Sequence, residues 1–139
     1  MSVIVTEAGF APDDWTGVFV AIDDLDPVAA LPEPLAVDMP NDRDPAELAP
    51  WLGRAALIRV AFPATGDGRG FSIARALREM GYAGRLRAAG PLIADQFRMA
   101  RRVGFDEIEL PDAVAARQPE GQWRLRPQAS YQERLTGRR

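Results

Sequence analysis

Between residues 35 and 117, short apolar segments alternate with segments of helical spacing. The apolar segments lie at residues 35–39, 56–62, 85–89 and 105–110, and each has the length and composition of a buried strand. Helices are predicted at residues 71–80 and 91–103, with shorter helical segments after Asp44 and Asp112. Strands joined by helices through short links favour a parallel sheet. The sequence therefore predicts one α/β domain, with a short, mostly parallel sheet of about four core strands and right-handed crossover helices.

The two ends of the chain follow a less regular pattern. Four prolines within residues 1–34 exclude long elements there, although residues 3–5 and 17–22 can each form a short strand. Near the other end, a further strand is conceivable at residues 123–125. The predicted organisation is an irregular N-terminal lead-in at residues 1–34, an α/β core at residues 35–117 and a polar C-terminal segment at residues 118–139.

The chain contains no cysteine and no histidine. It therefore lacks a thiolate nucleophile, the usual ligands of iron–sulfur clusters, and the commonest general base. A metal site could use only carboxylate and carbonyl oxygens. There is also no dinucleotide-binding fingerprint. We predict that the protein holds no metal and no flavin or nicotinamide cofactor.

No segment approaches the roughly 18 consecutive apolar residues that a membrane-spanning helix needs. The first residues also lack the basic stretch and apolar core of a signal peptide. We therefore expect a cytoplasmic protein with no membrane association. All 17 basic residues are arginine, as is common in proteins from GC-rich bacterial genomes.

Charge is unevenly distributed along the chain. Residues 1–50 contain eleven acidic residues and one arginine, whereas residues 51–139 contain nine acidic residues and sixteen arginines. Such asymmetry favours either two parts of the chain that dock on each other or a basic surface for an anionic partner. Internal docking is the simpler interpretation. Nucleic acid is not an expected partner, because the isoelectric point is about 5.0 and no aromatic residues are interleaved with the arginines.

A glycine-rich loop at residues 65–70 leads from a predicted strand into a predicted helix. Free backbone N–H groups at a helix N-terminus favour an anion, and glycines allow a ligand to approach the backbone. The spacing matches neither the dinucleotide fingerprint nor a P-loop, and a tight turn without a ligand is the commoner role of such a loop. The candidate anion-binding residues are Asp67, Gly68, Arg69, Gly70, Ser72, Arg75, Arg87 and Gln96.

Every predicted core strand contains charge, at Asp38, Arg59, Arg87 and Glu109. Parallel strands are usually apolar on both faces, and an unpaired buried charge is costly. Two explanations are open. One face of the sheet is solvated or covered by the polar N-terminal segment, or the four side chains form a row of ion pairs that is structural or lines a pocket. In the second case we expect at least one pair of opposite charges in contact.

Short motifs follow one another in a specific order along residues 35–110. They include Phe62-Pro63, Asp67-Gly68-Arg69-Gly70-Phe71-Ser72, Gly81-Tyr82, Leu86-Arg87-Ala88, Asp95-Gln96 and Gly104-Phe105-Asp106, with weaker matches at Asp14-Trp15 and Tyr131-Gln132. Together they resemble the bacterial family catalogued as domain of unknown function 934. The resemblance implies an association with genes of sulfite and sulfate assimilation, and members of the family are often labelled oxidoreductases of sulfite reduction. It implies no catalytic residues, because none is established for the family.

Two departures from the family pattern bear on that label. Ala64-Thr65-Gly66 stand where the family usually has an aromatic residue and a threonine, and Val103 stands where it often has a cysteine. Sulfite reduction needs electrons from a cofactor, and this chain lacks the residues that usually hold one. The leading interpretation is therefore an accessory protein that binds an oxyanion or docks on the reductase machinery.

Whether the protein is an enzyme stays open at this stage. The alternative interpretation is an enzyme that acts on a small anionic metabolite. Arg69, Arg75 and Arg87 would then stabilise negative charge, and Asp67 would be the base.

Overall fold

All strands of the described part of the chain lie in one sheet. The computed structural model describes residues 2–64, 66–118 and 120–123. The strands are β1 (Ser2–Thr6), β2 (Gly9–Ala11), β3 (Val20–Ala21), β4 (Leu35–Met39), β5 (Ala55–Ala61), β6 (Arg85–Ala89) and β7 (Glu107–Pro111). The α-helices are α1 (Arg69–Glu79), α2 (Phe97–Val103) and α3 (Asp112–Arg117), and 3-10 helices lie at Ile22–Asp24, Pro45–Trp51, Ala94–Gln96 and Glu120–Trp123.

The sheet has seven strands in the order β2-β1-β7-β6-β5-β4-β3. Strands β3 to β7 are parallel to one another, whereas β1 runs antiparallel to both β2 and β7. A single α/β domain with a mostly parallel sheet is thus confirmed. The expectation of about four strands is too low, because residues 1–34 contribute three more. These strands are only two to five residues long and lie among prolines and glycines, so their periodicity is weak.

One predicted helix starts later than expected. Instead of a continuous helix over residues 91–103, the chain forms a 3-10 turn at Ala94–Gln96 and then α2. The side chain of Gln96 accepts a hydrogen bond from the backbone N–H of Ile93 at 2.9 Å. This hydrogen bond caps the 3-10 turn, and α2 begins only after it, at Phe97. The helix ends at Gly104, whose φ of 115° suits glycine.

Side chains of β4 to β7 alternate between two very different faces of the sheet. The helix face is apolar and packs against α1 and α2. Its strand residues are Leu35, Val37, Met39, Ile58, Val60, Leu86, Ala88, Ile108 and Leu110, all buried. On the opposite face, which we call the polar face, lie Asp38, Arg59, Arg87, Glu107 and Glu109. The core of the domain is therefore one-sided.

Residues 12–19 cross the polar face, and we call this segment the strap. It connects β2 at one edge of the sheet with β3 at the other edge. Those edges are six interstrand spacings apart, or about 29 Å, and nine nearly extended residue steps cover roughly 30 Å. The strap is therefore just long enough to run straight across the sheet.

The direction of the strap also explains why it lies opposite the helices. Connections from β3 to β7 move across the sheet in one direction, and the connection from β2 to β3 returns in the other. Crossovers that run in opposite directions have the same hand only when they use opposite faces. Crossover connections between parallel strands are almost always right-handed. This preference accounts for the helices on one face of the sheet and the strap on the other.

The C-terminal end of the described chain packs beside β2. Trp123 is buried, and its ring lies 6.5 Å from that of Phe10 and 6.1 Å from that of Phe97. The indole N–H donates to the backbone carbonyl of Gln118 at 3.0 Å. The strand considered at residues 123–125 lies outside the described residues beyond Trp123, which itself belongs to a 3-10 helix.

Candidate functional site

The charged residues of the core strands form one connected row on the polar face. Asp38, Arg59 and Arg87 lie side by side in the register of β4, β5 and β6. The guanidinium of Arg59 donates from Nε and Nη2 to the two oxygens of Asp38 at 2.6 and 2.9 Å. It also donates from Nη1 to Glu109 at 3.1 Å. The predicted contact between opposite charges is therefore confirmed.

Arg87 is the centre of this row and is completely buried. Its Nε donates to Glu107 at 2.6 Å, and its Nη1 donates to Glu109 at 2.8 Å. Both terminal nitrogens also donate to Asp13 of the strap at 3.1 Å. Burial by itself lowers the pKa of Arg87, but the hydrogen bonds with Asp13, Glu107 and Glu109 outweigh it and raise the pKa above its ordinary value.

The strap attaches to the row by charge and by aromatic contact. The carboxylate of Asp14 accepts from Arg85 at 2.5 Å, next to the contact between Asp13 and Arg87. The ring of Phe19 covers the guanidinium of Arg59, whose central carbon lies 3.6 Å from the ring centroid. Part of the uneven charge of the sequence thus reflects internal docking, because Asp13, Asp14 and Asp38 pair with arginines of the core strands.

Five residues of this network were missed in the sequence: Arg85 and Glu107 on the strands, and Asp13, Asp14 and Phe19 of the strap. Glu107 could have been found, because it lies two positions before Glu109 and a strand places both on the same face. The strap residues had no such signal. Asp13 lies 74 positions from Arg87 and Phe19 lies 40 positions from Arg59 in the sequence, and only the strand order brings them together.

An open cavity of about 460 Å³ lies on the polar face at the carboxyl ends of the parallel strands. Its lining residues are Ala21, Ile22, Asp23, Asp38, Met39, Pro40, Arg59, Ala61, Ala89 and Glu109. Ligands of open α/β sheets usually bind at this end of the strands. The charged row therefore also lines a pocket.

The glycine-rich loop forms a small hydrogen-bonded unit of its own. Asp67 accepts from the side chain of Arg69 at 3.1 and 2.8 Å, from the backbone N–H of Arg69 at 3.1 Å, and from Asn41 at 2.8 Å. These hydrogen bonds, that of the Arg69 side chain first, hold the pKa of Asp67 well below its ordinary value. Gly70 has a packing role, because a Cβ there would lie 2.4 Å from the ring of Phe62.

The candidate anion-binding residues do not converge on one point. Asp67, Gly68, Arg69 and Gly70 lie together at the start of α1, while Ser72 and Arg75 follow on its exposed side. By contrast, Arg87 lies on the polar face, opposite the helices, and is occupied by three carboxylates. Gln96 caps the 3-10 turn before α2. Anion binding at the glycine-rich loop stays a prediction.

The packed helices α1 and α2 carry three arginines at exposed or half-buried positions, namely Arg75, Arg98 and Arg102, with the exposed acidic residue Glu79 also on α1. Arg75 and Arg102 are exposed and Arg98 is half-buried. Among the residues that the structure describes, none of the three pairs with a carboxylate. Met99 lies between two of them in the sequence, and 44% of its surface is exposed. We call the three arginines and Met99 the basic helix surface.

Within the described part of the chain, no group of three or more acidic side chains is arranged to hold a metal ion. Likewise, none of the helices described here has the length and apolar character needed to cross a bilayer.

Comparison with known families gives one match. The family model described as bacterial protein of unknown function (DUF934) matches residues 36–139. The chain belongs to this family. The part of the chain that matches DUF934 begins in β4. It includes the glycine-rich loop and both helices of the basic helix surface. It also includes Arg59, Arg87 and Glu109 of the polar face. No curated protein and no solved structure matches the chain significantly.

Proposed function

We propose that this protein is an accessory protein of sulfite or sulfate assimilation that docks on an acidic surface of an enzyme of that process. The observation that carries the proposal is the basic helix surface. Its arginines have no carboxylate partner in the described residues, in contrast to those of the polar face, each of which is paired. Free arginines on adjacent helices are suited to an acidic protein partner, because Arg forms bidentate contacts with carboxylates.

The combination of arginines with the exposed side chain of Met99 on this surface also favours protein docking. Arginine and methionine are both enriched at protein–protein interfaces relative to the remaining surface. Met99 provides an adaptable apolar contact, and the arginines around it provide orientation and a faster encounter with an acidic partner. The choice of sulfur assimilation rests on the family resemblance described above.

The alternative of an enzyme acting on an anionic metabolite is less well supported by the contacts. A general base works best when its pKa is near the working pH, and that of Asp67 is lowered instead. Arg87 would have to stabilise a substrate charge, but it is buried and already bound to three carboxylates. Neither residue is free for the role that the enzyme hypothesis gives it.

The proposal is tested by binding of the purified full-length protein to purified sulfite reductase and sulfate-assimilation enzymes from the same organism. Biolayer interferometry at two salt concentrations would compare the wild type with the double variant Arg75→Glu/Arg102→Glu. We expect binding of at least one enzyme, weakened at higher salt, and a loss of about tenfold or more in affinity for the variant.

The matched control is Arg54→Glu/Arg117→Glu, which changes the net charge equally at exposed positions outside the basic helix surface. This control should keep most of the affinity. Equal losses in both double variants would mean that only net charge matters. Absence of binding to every purified enzyme would refute the proposed partner class.

A further inference from the structure

We propose that the cavity on the polar face binds a small organic cation, an alkylammonium or alkylguanidinium compound. This proposal concerns a different surface from the basic helix surface and does not depend on docking there. It rests on the shape of the cavity, on its lining and on the charges that face it.

The cavity exists because small residues follow the charged row. Ala61 and Ala89 are register partners on β5 and β6, two positions after Arg59 and Arg87 on the same face. Because their side chains are small, the space above the sheet at the carboxyl ends of these strands is left unfilled. The resulting volume of about 460 Å³ lies within the roughly 300–1,000 Å³ typical of small-molecule pockets.

The only arginine among the lining residues, Arg59, is already hydrogen-bonded to carboxylates. Arg59 donates to both oxygens of Asp38 and to Glu109, and one face of its guanidinium is covered by Phe19 at 3.6 Å. An anion entering the cavity would have to displace these contacts. The guanidinium is therefore a poor receptor for an oxyanion here.

The lining carboxylates, in contrast, have capacity left. Each carboxylate oxygen can accept more than one hydrogen bond, and each oxygen of Asp38 receives one from Arg59. Its side chain is 40% exposed. Asp23 lies at the rim, where it pairs with Arg43 at 2.8 Å. With Glu109 the lining has three carboxylates and one guanidinium. Because Asp23 and Glu109 are also neutralised by Arg43 and Arg87 outside the lining, the half-exposed carboxylate of Asp38 is the group that favours a cation.

The apolar lining residues indicate that the cation carries an alkyl group. Ile22 and Pro40 form an apolar wall beside the carboxylates. A short alkyl chain can pack against this wall while its charged group donates to Asp38. An inorganic ion would leave the apolar wall unused, which is why we infer an alkylated cation.

The experiment is an NMR titration of the full-length, ¹⁵N-labelled protein with four probes: butylammonium chloride, butylguanidinium chloride, sodium butanoate and 1-butanol. We expect both cations to shift amides at residues 21–23, 38, 39, 61 and 89, with saturation in the millimolar range, as for ligands of so few atoms. Butanoate and butanol should bind at least tenfold more weakly, as judged by the concentration needed to shift the same amides. Equal shifts from butanoate, or shifts spread over the molecule, would overturn the proposal.

Two substitutions fill the cavity without changing its charge. Ala61→Leu fills the floor, and Ala21→Leu fills the rim at an exposed position where folding is not at risk. Each should weaken cation binding by roughly tenfold, on the order of one well-packed contact. Ala56→Leu, at an exposed position of the same strand as Ala61, is the matched control and should bind as the wild type does. Unchanged binding in a folded Ala21→Leu variant would overturn the assignment to this cavity.

Discussion

Arg87 on β6 donates from Nε to Glu107 on β7 at 2.6 Å, and both side chains are buried. Breaking such a pair from one side leaves a buried charge without its partner, which typically costs about 3–5 kcal/mol. The pair belongs to a larger network, since Arg87 also binds Glu109 and Asp13. The stability of the polar face should therefore depend strongly on this one guanidinium.

The first prediction is that Arg87→Met lowers the free energy of unfolding by about 3 kcal/mol or more. Methionine fits a similar space but leaves three carboxylates without their shared donor. Urea unfolding followed by tryptophan fluorescence measures the loss. Arg75→Met is the control, because Arg75 is exposed and should change stability by no more than about 0.5 kcal/mol. A similar small loss in both variants would contradict the central role of Arg87.

The second prediction concerns pH and the attachment of the strap. Burial raises the pKa of Asp13, but hydrogen bonds from Arg87 and from the backbone N–H of Trp15 outweigh this effect and lower the pKa below 3.8. A carboxylate with a lowered folded-state pKa stabilises the fold above its unfolded pKa. That contribution is lost as the pH falls through the folded-state value. Acid should therefore loosen the strap from about pH 4 downward.

Asp13→Asn tests this dependence, because asparagine keeps an oxygen for the N–H of Trp15 but does not ionise. At pH 7 the variant should be less stable by roughly 1 kcal/mol, as expected for a partly solvated charge-assisted hydrogen bond. The difference should shrink as the pH falls below about 4. Urea unfolding across this pH range measures it, with the exposed Asp24→Asn as control. A difference that is independent of pH would show that the charge of Asp13 does not matter.

The third prediction isolates the contact between Phe19 and Arg59. Phe19→Ala should destabilise the protein by about 1–2 kcal/mol, because the guanidinium loses a ring that lies 3.6 Å away. Hydrogen exchange should become faster in residues 12–19 while β5 stays protected. Phe19→Leu restores apolar volume without the aromatic ring, so it should recover only part of the stability. Unchanged exchange in the strap of Phe19→Ala would contradict the prediction.

The elements that the sequence predicted well are those with local signals. Residues 85–89 form a strand with the expected bounds, and β5 and α1 differ from expectation by one or two residues at their ends. One of the two explanations left open for the charged strands, at least one pair of opposite charges in contact, also holds, as the contact of Arg59 with Asp38 shows. Periodicity and the cost of buried charge were sufficient for these features.

The features that escaped prediction depend on the strand order. The strap residues Asp13 and Phe19 reach the polar face only because β2 and β3 form opposite edges of the sheet. The cavity depends on alanines at positions 61 and 89, and alanine carries no chemical signal that distinguishes a cavity floor from a packed core. Such sites require the register between strands, which a single sequence does not contain.

The last prediction concerns Arg69, which has a structural partner that the sequence did not reveal. It donates to Asp67 at 3.1 and 2.8 Å, yet 61% of its side chain is exposed at the start of α1. An exposed pair contributes little to folding, so Arg69→Ala should leave the midpoint of thermal unfolding within about 2 °C of the wild-type value. If an oxyanion binds here, it competes with Asp67 for the same guanidinium donors.

That competition gives opposite expectations for two neighbouring substitutions. Arg69→Ala removes donors and should weaken the binding of sulfate and sulfite, whereas Asp67→Asn removes the competing charge and should strengthen it. Isothermal titration calorimetry with sodium sulfate and sodium sulfite measures both, and the exposed Arg117→Ala serves as a control for the loss of one positive charge. A purely structural pair predicts no anion binding in any variant. Only a site at the start of α1 makes the two substitutions act in opposite directions.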